Sequence, residues 1–110
     1  MREPTFLVLT ALAAEPRHGY AVIEDVERMT GGRVRLRAGT LYAALDRLRG
    51  EGLIEVDREE IVQSRLRRYY RLTGAGEQSL TAESARLRTQ ATLAEGRLRA
   101  RRADFGGATA

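Results

Sequence analysis

The chain contains no cysteine, no tryptophan and no lysine, and has one histidine and two prolines among 110 residues. Without cysteine there are no disulfides, no thiolate metal sites and no cysteine nucleophile, which excludes a disulfide-stapled scaffold. His18 alone cannot build a multi-histidine metal site, and it leaves serine–histidine chemistry a single base. No paired carboxylates or glycine-rich phosphate loop accompany it, so the expectation is a protein without enzymatic activity, metal or cofactor. No apolar run approaches the roughly 20 residues of a membrane helix, and no membrane association is expected. The apolar stretch from Phe6 to Ala14 has no strongly basic lead, since Glu3 offsets Arg2. A secretory signal is therefore not expected, and the cytoplasm is the expected compartment.

What is present is arginine. It supplies all nineteen basic residues, against fifteen acids, for a formal net charge of +4. A GC-rich coding sequence produces such a bias without any function, although arginine forks also suit phosphates and guanine edges better than lysine does. Distribution is more telling than the total. Residues 1–30 carry three arginines against five acids, residues 31–73 ten against six, and residues 74–110 six against four. The positive excess peaks in the middle, where an anionic partner is expected to sit.

Glu3-Pro4-Thr5 opens a first helix, because proline is tolerated in the first turn and an acid there complements the helix dipole. Its body, Phe6 to Ala14, is apolar almost all round, and Glu15-Pro16 stops it. A second helix runs from near Gly19 to about Met29, ended by Gly31-Gly32. Arg33-Val34-Arg35-Leu36 alternates as a short strand does. A third helix spans Thr40 to Arg49, with Leu41, Leu45 and Leu48 on one face. Period-two patterning over Leu53–Arg58 and Leu66–Leu72, with a turn at Gln63-Ser64, predicts a hairpin. From Gly76 to about Arg102 the pattern is helical with a thin apolar stripe. Residues 103–110 read as a flexible tail.

Three helices, a hairpin and a long helix make a mainly α fold with a small β-hairpin. This is the order of a winged helix-turn-helix, residues 1–73, followed by an added C-terminal helix, residues 74–102, whose thin apolar stripe is expected to lie against a partner. The third helix turns its leucines inward and shows Thr40, Ala43 and Arg47 outward, small enough to enter a major groove and still reach a base edge or phosphate. Arg33, Arg35 and Arg37 lead into its N-terminus, an arrangement suited to phosphate. From this helix alone, a solvated amphipathic helix explains the pattern equally well. The hairpin tips the balance, because Arg65, Arg67 and Arg68 form a second basic cluster beside the same helix. Tyr69 and Tyr70 read as packing residues, one under the wing and one over the sheet.

His18-Gly19-Tyr20, Gly39-Thr40-Leu41-Tyr42, Leu45-x-x-Leu48-x-x-Glu51-Gly52-Leu53-Ile54 and Arg68-Tyr69-Tyr70-Arg71-Leu72-Thr73-x-x-Gly76 together resemble the PadR family of bacterial transcriptional regulators, in order and spacing, over roughly residues 6–80. The resemblance implies a dimeric winged-helix repressor on an inverted-repeat operator of double-stranded DNA, of the short subgroup with one dimerisation helix. It also implies that Tyr20 contacts phosphate, that Thr40 and Tyr42 lie at the front of the recognition helix, and that Arg67 and Arg68 lie on the wing. His18 falls at the family's histidine position, with a structural role at a helix start, and Leu53 and Ile54 fall in the core. Three departures stand out. Arg37-Ala38 replace the serine and proline that many members place before the third helix, which removes the usual side-chain cap. The wing turn lacks glycine. The absence of tryptophan removes the stacked pair with which some short members hold flat aromatic drugs, so any small-molecule effector is of unknown identity.

The expected DNA contacts are therefore Tyr20, Arg35, Arg37, Thr40, Tyr42, Ala43, Arg47, Arg65, Arg67 and Arg68. The expected homodimer interface is Phe6, Leu7, Leu80, Leu87, Ala94 and Leu98, because a helix as polar as the last one buries itself poorly alone. The competing reading is a winged helix that docks on a protein and reads no sequence, since one fold hosts both functions. It requires an apolar patch on the wing where the arginines stand.

Overall fold

Pro4 stands in the first turn of the first helix and Glu3 carries the acid of that turn, which together start α1, Glu3–Ala14. The computed structural model describes residues 1–109, with side chains through Phe105. After α1 come β1 (Arg17–His18), α2 (Gly19–Met29), α3 (Ala38–Gly50), β2 (Ile54–Val62), β3 (Arg65–Leu72) and α4 (Gly74–Thr109). The three strands form one antiparallel sheet in the order β1-β3-β2. Four helices with this small sheet make the mainly α winged-helix architecture expected from the element order. No helix among the described residues is long and apolar enough to cross a membrane.

Val8, Leu9 and Ala11 of α1, Val22 and Val26 of α2, and Leu41, Leu45 and Leu48 of α3 are all fully buried in one apolar cluster. Ile54 and Tyr70 bring the base of the hairpin into the same cluster. Each of the large apolar side chains contributes roughly 1.5–3 kcal/mol on leaving water, so this cluster orients the three helices. At the same base of the hairpin, Gly76 lies so close beneath Leu53 that an added Cβ would stand 2.0 Å from its carbonyl oxygen. The first turn of α4 docks there, with the Thr73 Oγ1 accepting from the Gly76 N–H at 3.0 Å and donating to the Gly52 carbonyl. Leu80 packs on the core and closes the first unit of the chain, Met1–Leu80. From Thr81 the rest of α4 forms a second unit.

Three local expectations are corrected. Residues 33–36 are not a strand, although Leu36 is buried. The Val34 N–H is taken by Thr30 Oγ1 at 3.1 Å, and the free edge of β3 is occupied by Arg17–His18, which pairs with Tyr69 and Tyr70. The third helix starts at Ala38 rather than Thr40, with Arg37 as a cap that offers no side-chain hydrogen bond. The last helix continues past Arg102 to Thr109. Ala110, part of the expected flexible tail, lies outside the described residues.

The turn of the wing is strained. Gln63 and Ser64 both take left-handed backbone angles, φ 52° and 63°, which match a two-residue hairpin turn whose usual occupants are Asn-Gly. A β-bulge between Val56 and Arg58 inserts Asp57 opposite Tyr69 and twists the hairpin between its base and its tip. Left-handed angles at residues other than glycine cost on the order of 1 kcal/mol or more each. The double substitution Gln63→Asn with Ser64→Gly is therefore expected to raise Tm by several degrees in calorimetry. An unchanged or lower Tm would show that the turn is not strained in this way.

Candidate nucleic-acid interface

The leucine stripe of α3 fixes what that helix presents. With Leu41, Leu45 and Leu48 inward, Gly39, Thr40, Tyr42, Ala43, Asp46 and Arg47 are exposed. Tyr42 leans toward α2, where Gly19 makes room for it. A Cβ on Gly19 would fall 2.7 Å from the Tyr42 hydroxyl. Tyr20, on the next residue of α2, is 65% exposed. These two tyrosines and the inner side of the wing bound a cleft of about 580 Å³, into which Arg65, Arg67 and Arg68 also project.

His18 holds the start of α2 at the edge of this cleft. Its Nδ1 accepts the Ala21 N–H at 3.3 Å, and its ring meets Tyr69 edge to face at 5.3 Å. Burial, reinforced by the Arg67 guanidinium, pushes the imidazole below its ordinary pKa of 6.5, against the opposing pull of Glu24 and Glu60. A neutral ring is what the cap needs, since only an unprotonated Nδ1 can accept. Tyr69 is held in turn by a hydrogen bond from its hydroxyl to Glu60 at 3.2 Å and by the Arg58 guanidinium, 3.8 Å above its ring. Tyr70 is the buried partner of the pair.

The arginines divide into two groups. Across the hairpin, acids of β2 face arginines of β3: Glu55 opposite Arg71, Glu59 opposite Arg68 and Glu60 opposite Arg67. Arg68 pairs with Glu59 at 3.2 Å, and Arg71 pairs with Glu55 at 2.7 Å. The bonds to Tyr70 and Glu59 hold the Arg68 guanidinium even more firmly protonated than usual. Arg35 pairs with Glu27 of α2 at 3.2 Å, and Arg33 pairs with Glu3. By contrast, Arg37, Arg65 and Arg67 form no ion pair among the described residues.

Of the DNA contacts expected from sequence, the cleft brings together Tyr20, Tyr42, Arg65, Arg67 and Arg68. Thr40 and Ala43 are exposed on α3 outside the cleft, and Arg37 caps that helix. Arg47 is placed elsewhere than expected: its guanidinium reaches back to α1 and donates to Thr5 Oγ1 at 2.7 Å. Among the residues expected at an interface between copies, Phe6 is half-buried, and Leu7 and Leu80 already pack on the core of the first unit. Ala94 is exposed, with Leu87 at 39% and Leu98 at 50%. Sequence reasoning passed over Asp46, although its i,i+4 spacing from Tyr42 places it on the cleft side of α3. It also passed over the apolar pair Ile61 and Leu66 near the wing tip, which are cross-strand neighbours.

Comparison with known proteins gives the family and the fold. The pattern of the Transcriptional regulator PadR-like family matches residues 8–82. A transcriptional regulator of Mycobacterium tuberculosis is 39% identical over 67 residues, which are 61% of this chain and 49% of that protein. The crystal structure of a PadR family transcriptional regulator from Eggerthella lenta superposes with a TM-score of 0.69 at 27% identity, covering 86% of this chain and 83% of that one. The crystal structure of Bacillus subtilis PadR in complex with operator DNA shares the fold, with a TM-score of 0.66 at 24% identity over 74% of this chain and 47% of that one.

The histidine cap predicts a pH dependence of stability. Folding lowers the imidazole pKa, so the unfolded chain binds the proton more readily. The stabilisation is complete above about pH 6.5 and is lost as the pH falls through the folded value. Tm should therefore drop between pH 7.5 and 5.5, above the range where carboxylates titrate. In His18→Asn, which keeps a capping side chain, that slope should disappear. An equal slope in the variant would assign the dependence to another group.

Proposed function

The chain belongs to the PadR-like family of transcriptional regulators, and from that membership we propose that it acts as a sequence-specific DNA-binding repressor, a cytoplasmic homodimer on an inverted-repeat operator. The observation that carries this reading is the cleft between α2, α3 and the wing, where two tyrosines stand opposite Arg65 and Arg67, arginines without an ion pair among the described residues. Hydroxyls and unpaired guanidinium groups around a presented helix are donors placed for phosphate, while the helix meets the base edges.

The dimer reading draws its support from α4. Beyond Leu80 that helix is polar, yet Leu87, Leu93, Leu98 and Phe105 are exposed on it, and a long polar helix with a thin apolar stripe gains most by packing on a second copy. Leu87, Ala94 and Leu98, with Phe6, Leu7 and Leu80, are our candidates for the interface. Twofold symmetry would set two α3 helices one DNA turn apart, or a multiple of it. A small-molecule effector that alters this spacing would switch the regulator.

A second reading, a winged helix that docks on a protein, draws on the wing tip, where Ile61 is 78% and Leu66 is 59% exposed. The unpaired arginines beside that pair favour a polyanion instead.

The deciding experiment is fluorescence anisotropy with the duplex upstream of the chain's own gene and a scrambled duplex, each at low and near-physiological salt. Tight binding to the native duplex that survives salt supports the repressor. Binding that is equal for both and salt-labile, or absent from both, contradicts it. Arg67→Ala should weaken binding to both duplexes alike and lower the salt slope by about one. In sedimentation, Leu87→Asp should shift the protein from dimer to monomer; a variant that stays dimeric removes Leu87 from the interface.

A further inference from the structure

The outermost strip of α3 is nearly bare. At about 100° per residue, the direction opposite Leu41, Leu45 and Leu48 is occupied by Gly39, Ala43, Asp46 and Gly50, and all four are exposed. Three of them have nothing beyond a Cβ, so the helix backbone can approach the floor of a groove closely. The glycines do not serve the fold. A Cβ at Gly39 or Gly50 would meet nothing within 4 Å, and neither has a positive φ. Gly39 and Gly50 are the second and last residues of α3, where glycine costs less than the roughly 0.5–1 kcal/mol of a helix interior but still gains nothing over alanine. The chain thus carries a helix-weakening residue at two positions where packing gives no reason for it.

Asp46 is the one functional group on that strip. It forms no ion pair among the described residues, although Arg47 and Arg49 are close in sequence and Arg65 and Arg67 line the same cleft. Arg47, the cation expected to read bases, is turned away onto Thr5. A carboxylate here repels every phosphate, so for a surface that served only the backbone it would be a pure loss. It becomes favourable where the partner presents a hydrogen-bond donor. In the major groove, that donor on a base pair edge is an exocyclic amine, and a carboxylate is matched by cytosine N4.

We propose that Asp46 is a specificity-determining residue that accepts a hydrogen bond from a cytosine amino group, and that Gly39 and Ala43 are small so that the helix can seat deeply enough for it to reach. The proposal rests on the DNA-binding reading above and deepens it, since it names the base that the bare face reads.

The test is selection from a randomised duplex library with the full chain and its variants. The wild type should enrich a half-site with one position fixed as cytosine. In Asp46→Ala that position should become degenerate while the others persist. Affinity for the wild-type consensus should fall roughly 5- to 150-fold, the range for one good base contact, while affinity for a scrambled duplex holds or rises. Asp46→Asn should move the preference at that position toward adenine, whose N6 and N7 suit an amide. Gly39→Ala should raise Tm yet weaken consensus binding, a combination that a residue serving only the fold would not give. If Asp46→Ala keeps the cytosine, or strengthens binding to all duplexes alike, Asp46 is only a repulsive surface charge and the proposal fails. A wild type that enriches no motif at all overturns it together with the reading on which it rests.

Discussion

The burial of Leu41, Leu45 and Leu48 is the constraint from which the rest of this molecule follows. All three are fully buried among Leu9, Val22 and Val26, and replacing any one by alanine would cost about 2–5 kcal/mol through lost burial and the cavity left behind. A helix held that firmly along one stripe has no rotational freedom. Turning α3 by one residue, about 100°, would expose a leucine and bury a tyrosine or an aspartate. The inner stripe therefore decides what the outer one shows, and with it which groups can meet a ligand. Tyr42 is placed by the same constraint, since it can lie against α2 only because Gly19 has no side chain.

Charge acts on top of this geometry rather than through its total. A net charge of +4 on 110 residues is modest, and much of the arginine in the wing faces acids of the neighbouring strand. What matters is where that pairing stops. It ends short of the tip, where Arg65 stands opposite Val62, and Arg67 also stays out of an ion pair among the described residues. The paired arginines are not lost to binding, because an exposed ion pair is worth about 0–1 kcal/mol and can be traded for a phosphate at little cost. The hydrogen bond from Arg47 to Thr5 differs, since its acceptor is buried and would be left unmatched.

Much of this was legible in the sequence, for reasons that particular residues make plain. Leucines at spacings of four and three announce α3, and period-two alternation announces the hairpin. Gln63-Ser64, a short polar break between two alternating segments, marks its turn. Each is a local signal carried by the segment itself. The features that escaped are not local. β1 has two residues and exists only because β3 leaves an edge beside it, and no alternation can show over two positions. The diversion of Arg47 depends on Thr5, 42 residues away in sequence. The pairing of Arg68 with Glu59 requires the hairpin register, which is shifted by a bulge. Asp46 lies on the outer face of the helical wheel, but the meaning of an acid there depends on the bare residues beside it and on the wing, which only the fold brings near.

In the proposed regulator, the outer face of α3 and the wing act as one DNA-binding surface. The most direct test of that surface is a two-dimensional amide NMR titration of the isotope-labelled protein with a short duplex that it selects. The largest perturbations should fall at Gly39, Tyr42, Ala43 and Asp46 on α3 and from Gln63 to Arg67 on the wing, with Tyr20 at the cleft edge. Perturbations confined to α1 and α4, or absent from both α3 and the wing, would contradict it.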